Sequence, residues 1–284
     1  MRMAKKLAVI NDLSAFGKCS LAAALPVISA LKVQACPMAT SVLSNQTCYS
    51  SYYIKDLTCE MENIKDKWLE MGFGFDGIYA GYLSGEGQAK VIENIVKEFK
   101  KDGVAFILDP VMGDAGKVYS NYSDSLRDKL IGLSKKADIV IPNVTELRLL
   151  CGENPDTFIT NEGHNDISAV GSSALRFAAE THANVVVTGI NITEYGKDFI
   201  YNIVVEDGST DYVKSEKLSG GYSGTGDIMA SIVSAMYVRG FGIADAVRAA
   251  SGFISKAIEA TVPEDSDVND GVNFESVLDM LTKI

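Results

Sequence analysis

The segment KKLAVINDLSAFGKCSLAAALPVISALK, residues 5–32, holds a strand and a helix in succession, and the reading of the fold starts from it. The apolar run over residues 5–10, closed by Asn11, has the length and branched composition of a strand buried on both faces. Residues 20–32 carry apolar side chains at helical spacing. Two polar residues, Asn11 and Asp12, sit directly where the strand ends.

The same alternation recurs along the chain. QACPMATSV (34–42), DGIYAGYL (76–83), VAFILD (104–109), ADIVIPN (137–143) and NVVVTGI (184–190) read as further buried strands. Between them, residues 61–72, 86–101 and 167–182 have helical periodicity. Strand and helix in alternation predict a mostly parallel sheet covered by helices. After Ile190 two strand-like runs, DFIYNIVVED and TDYVKSEK, flank Gly208-Ser209 and predict an antiparallel hairpin at one sheet edge. The last third is helical, no repeat or linker interrupts the chain, and a single domain over residues 1–284 is expected.

Composition narrows the function. The 284 residues are 47% hydrophobic, enough for a sizeable core, and the net charge of −11 argues against nucleic acid or an anionic membrane surface as partner. No run of about 18 apolar residues is present, and the first residues lack a signal-peptide pattern, so a cytoplasmic protein is expected. Five cysteines without a CxxC pair suggest neither a zinc site nor a disulfide framework. The two histidines, His164 and His182, lie away from any cysteine or acid cluster, which disfavours histidine chemistry.

Ligands of parallel sheets bind outside the carboxyl ends of the strands. Four polar stretches fall there: Asn11-Asp12, SNQT (44–47), DPVMGD (109–114) and PNVTE (142–146). Asn143 with Glu146 three residues later also fits a capping box. GGYSGTGDIMAS, residues 220–231, is more specific, because a glycine-rich turn entering a helix exposes amide N–H groups at the positive end of the helix dipole. Gly224, Thr225 and Gly226 could hold a transferring phosphoryl group there, and Asp227 could accept a hydroxyl proton. The same acid could equally be an ordinary helix-initiating residue. Two other motifs fail on context: Gly72–Gly77 fits G-x-G-x-x-G but precedes a strand, and DLSAFGKCS has Asp12 and Cys19 where a P-loop needs glycine and Ser or Thr.

In order, IND, SNQT, AGYL, DPVMGD, PNVTE and GTGD resemble the ribokinase-like superfamily and, within it, the vitamin B6 (pyridoxal/pyridoxamine) kinases, over residues 5–262. The resemblance implies a three-layer sandwich with a mostly parallel central sheet. It implies transfer of the γ-phosphate of ATP to the 5′-hydroxymethyl group of a B6 vitamer, with Mg²⁺, room for a monovalent cation such as K⁺, and a homodimer. Asp227 would match the base, and Gly224, Thr225 and Gly226 the anion hole. Asp109, Asp114 and Glu146 would match the acids around Mg²⁺ and phosphate, with Asn143, Thr188 and Thr225 on the nucleotide side. Thr47 and Tyr82 match ring-contacting residues, and Leu43 and Cys19 the apolar walls of the vitamer pocket.

Two positions depart from the pattern. Asp12 stands where the resembled kinases often have a serine facing the ring, and a carboxylate there favours a cationic partner. Cys48 replaces a common glycine. The glycine-bearing stretch from Gly113 to Ser123 lacks the reactive cysteine of the dual pyrimidine and pyridoxal kinases and could form a mobile cover. A hydroxymethylpyrimidine (phosphate) kinase is the nearest alternative, and a non-catalytic binding protein on the same fold is another.

Overall fold

The computed structural model describes residues 4–154, 166–218, 221–262 and 267–284, so His164 and Gly220 lie outside the described residues. The chain divides into two compact units, Met1–Phe106 with Leu218–Ile284, and Ile107–Lys217. In chain order the first unit supplies β1 (Lys5–Ser14), α1 (Ser20–Ala30), β2 (Val33–Leu43), β3 (Ile54–Asp56), α2 (Thr58–Glu70), β4 (Gly77–Ala80) and α3 (Glu86–Phe99). The division falls inside β5 (Ala105–Leu108). The second unit continues with β6 (Gly113–Asp114), β7 (Lys117–Val118), α4 (Asp124–Ser134), β8 (Ile139–Val140), α5 (Val144–Leu150), α6 (Ile167–Thr181), β9 (Asn184–Glu194), β10 (Lys197–Glu206) and β11 (Ser209–Glu216). The chain then returns to the first unit with α7 (Thr225–Val238), α8 (Ile243–Thr261) and α9 (Asp279–Thr282).

In the first unit β1 pairs in parallel with both β2 and β4. Its residues Leu7–Ile10 are fully buried, which is why the run shows no polar alternation. β2 also pairs antiparallel with the short, exposed β3, a strand too brief to leave a signal in the sequence. α7 buries every residue from Ile228 to Met236. A helix apolar on all sides must be enclosed, and α7 packs against α1, α8 and β4.

In the second unit β8 lies in parallel between β5 and β9. The edge is more extensive than the expected hairpin: β9 runs on to Glu194, and β9, β10 and β11 form an antiparallel meander. Both of its turns place consecutive residues in the left-handed region, Tyr195-Gly196 (φ 53° and 75°) and Asp207-Gly208 (50° and 77°). Two positive φ values make the tight turn that matches strand twist, so the second turn centres on Asp207-Gly208 and not on Gly208-Ser209. The same geometry at Ala115-Gly116 (48° and 77°) closes the small β6–β7 hairpin.

The stretch Gly72–Gly77 is indeed a turn between α2 and β4. His182 ends α6 in the left-handed conformation. The five cysteines are free, and none of the described helices is long and apolar enough to cross a membrane.

Three rings hold α2, α3 and the turn before β4 together. Trp68, Phe75 and Phe99 have centroids 5.0, 5.4 and 6.3 Å apart, edge-on or tilted. Phe99 is the buried member. Phe99→Ala is expected to cost about 3–5 kcal/mol in chemical denaturation. Because Trp68 is the chain's single tryptophan, its emission should shift to the red in the native variant; unchanged emission and midpoint would refute the packing role.

Candidate active site

The carboxyl end of β1 is irregular. Two residues of β2, Thr40 and Ser41, oppose Asp12 alone, a bulge that increases the local twist where Asn11 and Asp12 lie. Both are buried. The Asn11 amide Nδ2 donates to Asp227 Oδ1 at 3.0 Å, while its Oδ1 accepts from the amides of Asp12 (3.0 Å) and Tyr82 (2.9 Å). Asp12 accepts from the Ser14 hydroxyl at 3.1 Å and also from Ser20.

Asp227 stands in the first turn of α7 and reaches the first turn of α1. Ser20 holds φ of 51°, unusual for a residue with a side chain, and its amide N–H donates to the Asp227 carboxylate. The carboxylate therefore lies at the positive ends of two helices. Gly224, the residue before α7, has φ of 81°, and a Cβ there would lie 2.0 Å from the Lys18 carbonyl oxygen. Glycine is required on both counts. No side chain caps α7, and Gly226 is exposed at its first turn.

The electrostatics follow from this packing. The surrounding protein pushes Asp227 up to about 6, and Asp12's charge adds to the rise; the Ser20 amide and Asn11 oppose it. Burial also raises Asp12, against its hydroxyl donors. Cys19 is pushed up to about 12 by burial and then by Asp227 and Asp12, so it remains a neutral, unreactive thiol. Tyr82 is pushed up to about 12, chiefly by burial, and stays a phenol. At neutral pH Asp227 is largely ionised yet close enough to neutrality to serve as a proton acceptor.

Asp12, Cys19, Tyr82 and Asp227 thus come together in the first unit. Leu43 is buried at the end of β2, in register with Ser14. Thr47 is exposed, on a loop pinned by its buried neighbour Gln46, whose side chain donates to Asn269 O (3.0 Å) and Ser223 Oγ (3.2 Å) and accepts from the Cys48 amide (2.8 Å).

The second unit assembles the other stretches. Asp109 directly follows β5 and is buried. Asn143 and Glu146 form a complete capping box at α5. Glu146 Oε2 accepts from the Asn143 amide (2.8 Å) and Oε1 from the Met112 amide (3.1 Å). Its pKa is driven upward by burial, with Asp114 adding, and the amide donors resist. Asn143 Nδ2 donates to Gly113 O at 2.7 Å and Thr145 accepts from the Gly116 amide at 2.9 Å, so α5 holds the β6–β7 hairpin on which Asp114 is exposed. Thr188 bridges to Asn143 in parallel and donates its amide to Pro142 O at 2.9 Å.

The sequence flagged the Asn11-Asp12 position but not the part Asn11 plays, contained Gln46 and Thr145 within SNQT and PNVTE without singling out either, and gave no sign of Ser14 or Ser20. Asn11 was within reach, as the polar residue that closes the apolar run, although β1 continues past it to Ser14. The left-handed backbone of Ser20 leaves no trace in composition or spacing.

Comparison with known proteins places the chain in a family. A family model described as phosphomethylpyrimidine kinase matches residues 17–272. Pyridoxal kinase PdxY of Leifsonia xyli subsp. xyli is 27% identical over 243 residues, 82% of this chain and 81% of that protein. A Bacteroides thetaiotaomicron protein, provisionally described as a phosphomethylpyrimidine kinase and crystallised with pyridoxal, superposes with a TM-score of 0.88 at 31% identity, covering 98% of this chain and 96% of that one. Pyridoxal kinase from Lactobacillus plantarum gives a TM-score of 0.85 at 25% identity, with 99% and 98% covered. By these matches and its mostly parallel, helix-flanked sheet, the chain belongs to the phosphomethylpyrimidine kinase family, a branch of the ribokinase-like superfamily of kinases that phosphorylate alcohol groups.

Proposed function

We propose that the chain phosphorylates the 5′-hydroxymethyl group of a B6 vitamer, with ATP as donor. The observation that carries this reading is the Asp227 carboxylate, oriented by Asn11 and the Ser20 amide at the glycine-led start of α7. Asp227 takes the hydroxyl proton as the alcohol oxygen bonds to the γ-phosphorus; the bond from that phosphorus to the bridging oxygen breaks and ADP leaves. The amides of Gly224, Thr225 and Gly226 hold the migrating phosphoryl oxygens, positioning and neutralising charge as this chemistry demands. Tyr82, Leu43, Cys19 and Thr47 line the acceptor side, while Asn143 and Thr188 serve the nucleotide. The pyridoxal kinase and pyridoxal-bound relatives favour a vitamer over a hydroxymethylpyrimidine as acceptor.

Among the described residues no three His, Cys, Asp or Glu side chains group as a metal cage. Mg²⁺ does not require such a cage, since it keeps several waters and takes one or two carboxylates plus substrate phosphates. Asp109 and Asp114 are the candidate holders; Glu146, with both oxygens engaged by amides, acts through water or by fixing the 109–114 turn. Bound there, the ion would neutralise phosphate charge. A monovalent cation, a cytoplasmic location and a homodimer remain part of the proposal. The exposed apolar side chains Leu13, Phe16, Val42, Tyr53 and Ile54 around the β3 edge support self-association.

Asp227→Asn should lower kcat by about two orders of magnitude or more with nucleotide affinity little changed; near-native turnover would remove the base. Because the base must be ionised, kcat/KM should fall as pH drops through about 6, and Asp12→Asn should move that limb to lower pH by removing a neighbouring charge. ADP release in Mg-ATP with pyridoxamine, pyridoxine, pyridoxal and hydroxymethylpyrimidine tests the acceptor. Pyridoxamine or pyridoxine should lead pyridoxal, and Asp12→Ser should erase the preference. An unchanged ratio would show that Asp12 does not read the vitamer's charge, and no turnover with nucleotide bound would favour a binding protein.

A further inference from the structure

Asn11 is enclosed on every side that matters. It is fully buried, and its two amide-donated bonds from Asp12 and Tyr82 both fall on Oδ1, which fixes the orientation of the side-chain amide. A flipped amide would set its own N–H groups against two backbone N–H groups, so Nδ2 has to face Asp227. Gly81 makes the space: a Cβ at that position would lie 2.7 Å from Asn11 Nδ2 and 2.8 Å from Cγ. The Gly81 amide is itself tied to Ile10 O at 2.8 Å, so neither partner can withdraw.

We infer that Asn11 is a positioning residue that locks the Asp227 carboxylate and the backbone of Tyr82 to one another, so that base and acceptor wall keep a fixed spacing. The inference rests on the reading of Asp227 as the base. The hydrogen bond also favours the ionised carboxylate. The other titratable groups facing Asp227 are Asp12 from β1, which opposes ionisation, and Cys19 ahead of α1, a neutral thiol. The neighbouring Lys18 ammonium is engaged with Glu275 at 2.9 Å.

The test compares Asn11→Asp with the native chain. Aspartate preserves an acceptor for both backbone amides and replaces the donor with a charge. Its kcat should fall about 10- to 100-fold at neutral pH, the loss of a hydrogen bond to a charged group. KM for ATP should stay within about threefold, and the acid limb of kcat/KM should move up by about one pH unit, partly restoring activity at alkaline pH. In an Asp227→Asn background the same change should cost nothing further, because paired residues act as a unit and independent ones add. Gly81→Ala, which retains Asn11 but crowds its amide, should give a smaller loss in the same direction and covers the case in which Asn11→Asp fails to fold. A folded Asn11→Asp protein with unshifted limb and near-native kcat would overturn the inference while leaving an inactive Asp227→Asn intact. An active Asp227→Asn would instead overturn the base assignment.

Discussion

One carboxylate at the meeting of two helix starts organises the first unit. Asp227 opens α7, and the groups that fix it come from elsewhere: the Asn11 side chain within β1, beside its bulge, and the backbone of Ser20 at the start of α1. Because backbone amides and helix dipoles do not reorganise, an acid held this way keeps its direction at little cost when substrate arrives. The glycine at 224 is part of the same constraint, since the turn before α7 lies against the Lys18 carbonyl with no room for a side chain.

The proton affinity of Asp227 is a balance of opposed effects. Packed protein and the Asp12 charge raise it, while two N–H donors lower it, and the outcome near 6 sits just below neutrality. A carboxylate at its ordinary value would be a weaker base, and one without its donors would hold its proton to higher pH. Asp12 therefore has a second effect beside any contact with a cationic vitamer. Its charge sets how readily the neighbouring acid takes a proton.

Much of the fold was legible because hydrophobic periodicity records burial. The run at Leu7–Ile10 carried β1, and the all-round apolar α7 followed from Asp227 onward. What escaped was short or set by tertiary contacts. The three-residue β3 and the β6–β7 pair are too brief for a periodic signal, and the extension of β9 to Glu194 depends on its pairing with β10. At the site, acids and glycines were visible through motif and spacing. Ser20's backbone and the orientation of Asn11 were not, because they arise from what packs against them. Glu146 illustrates a residue with two readings, since the capping box is fully formed and any part it plays toward phosphate or metal is exerted with both oxygens already engaged.

The most direct measurement is a crystal structure with a non-hydrolysable ATP analogue and pyridoxamine. The account requires an Asp227 carboxylate oxygen within about 2.6–3.2 Å of the vitamer's 5′-hydroxyl oxygen, with the Asn11 bond retained. A carboxylate turned from the hydroxyl, with another side chain placed to receive the proton, would contradict it.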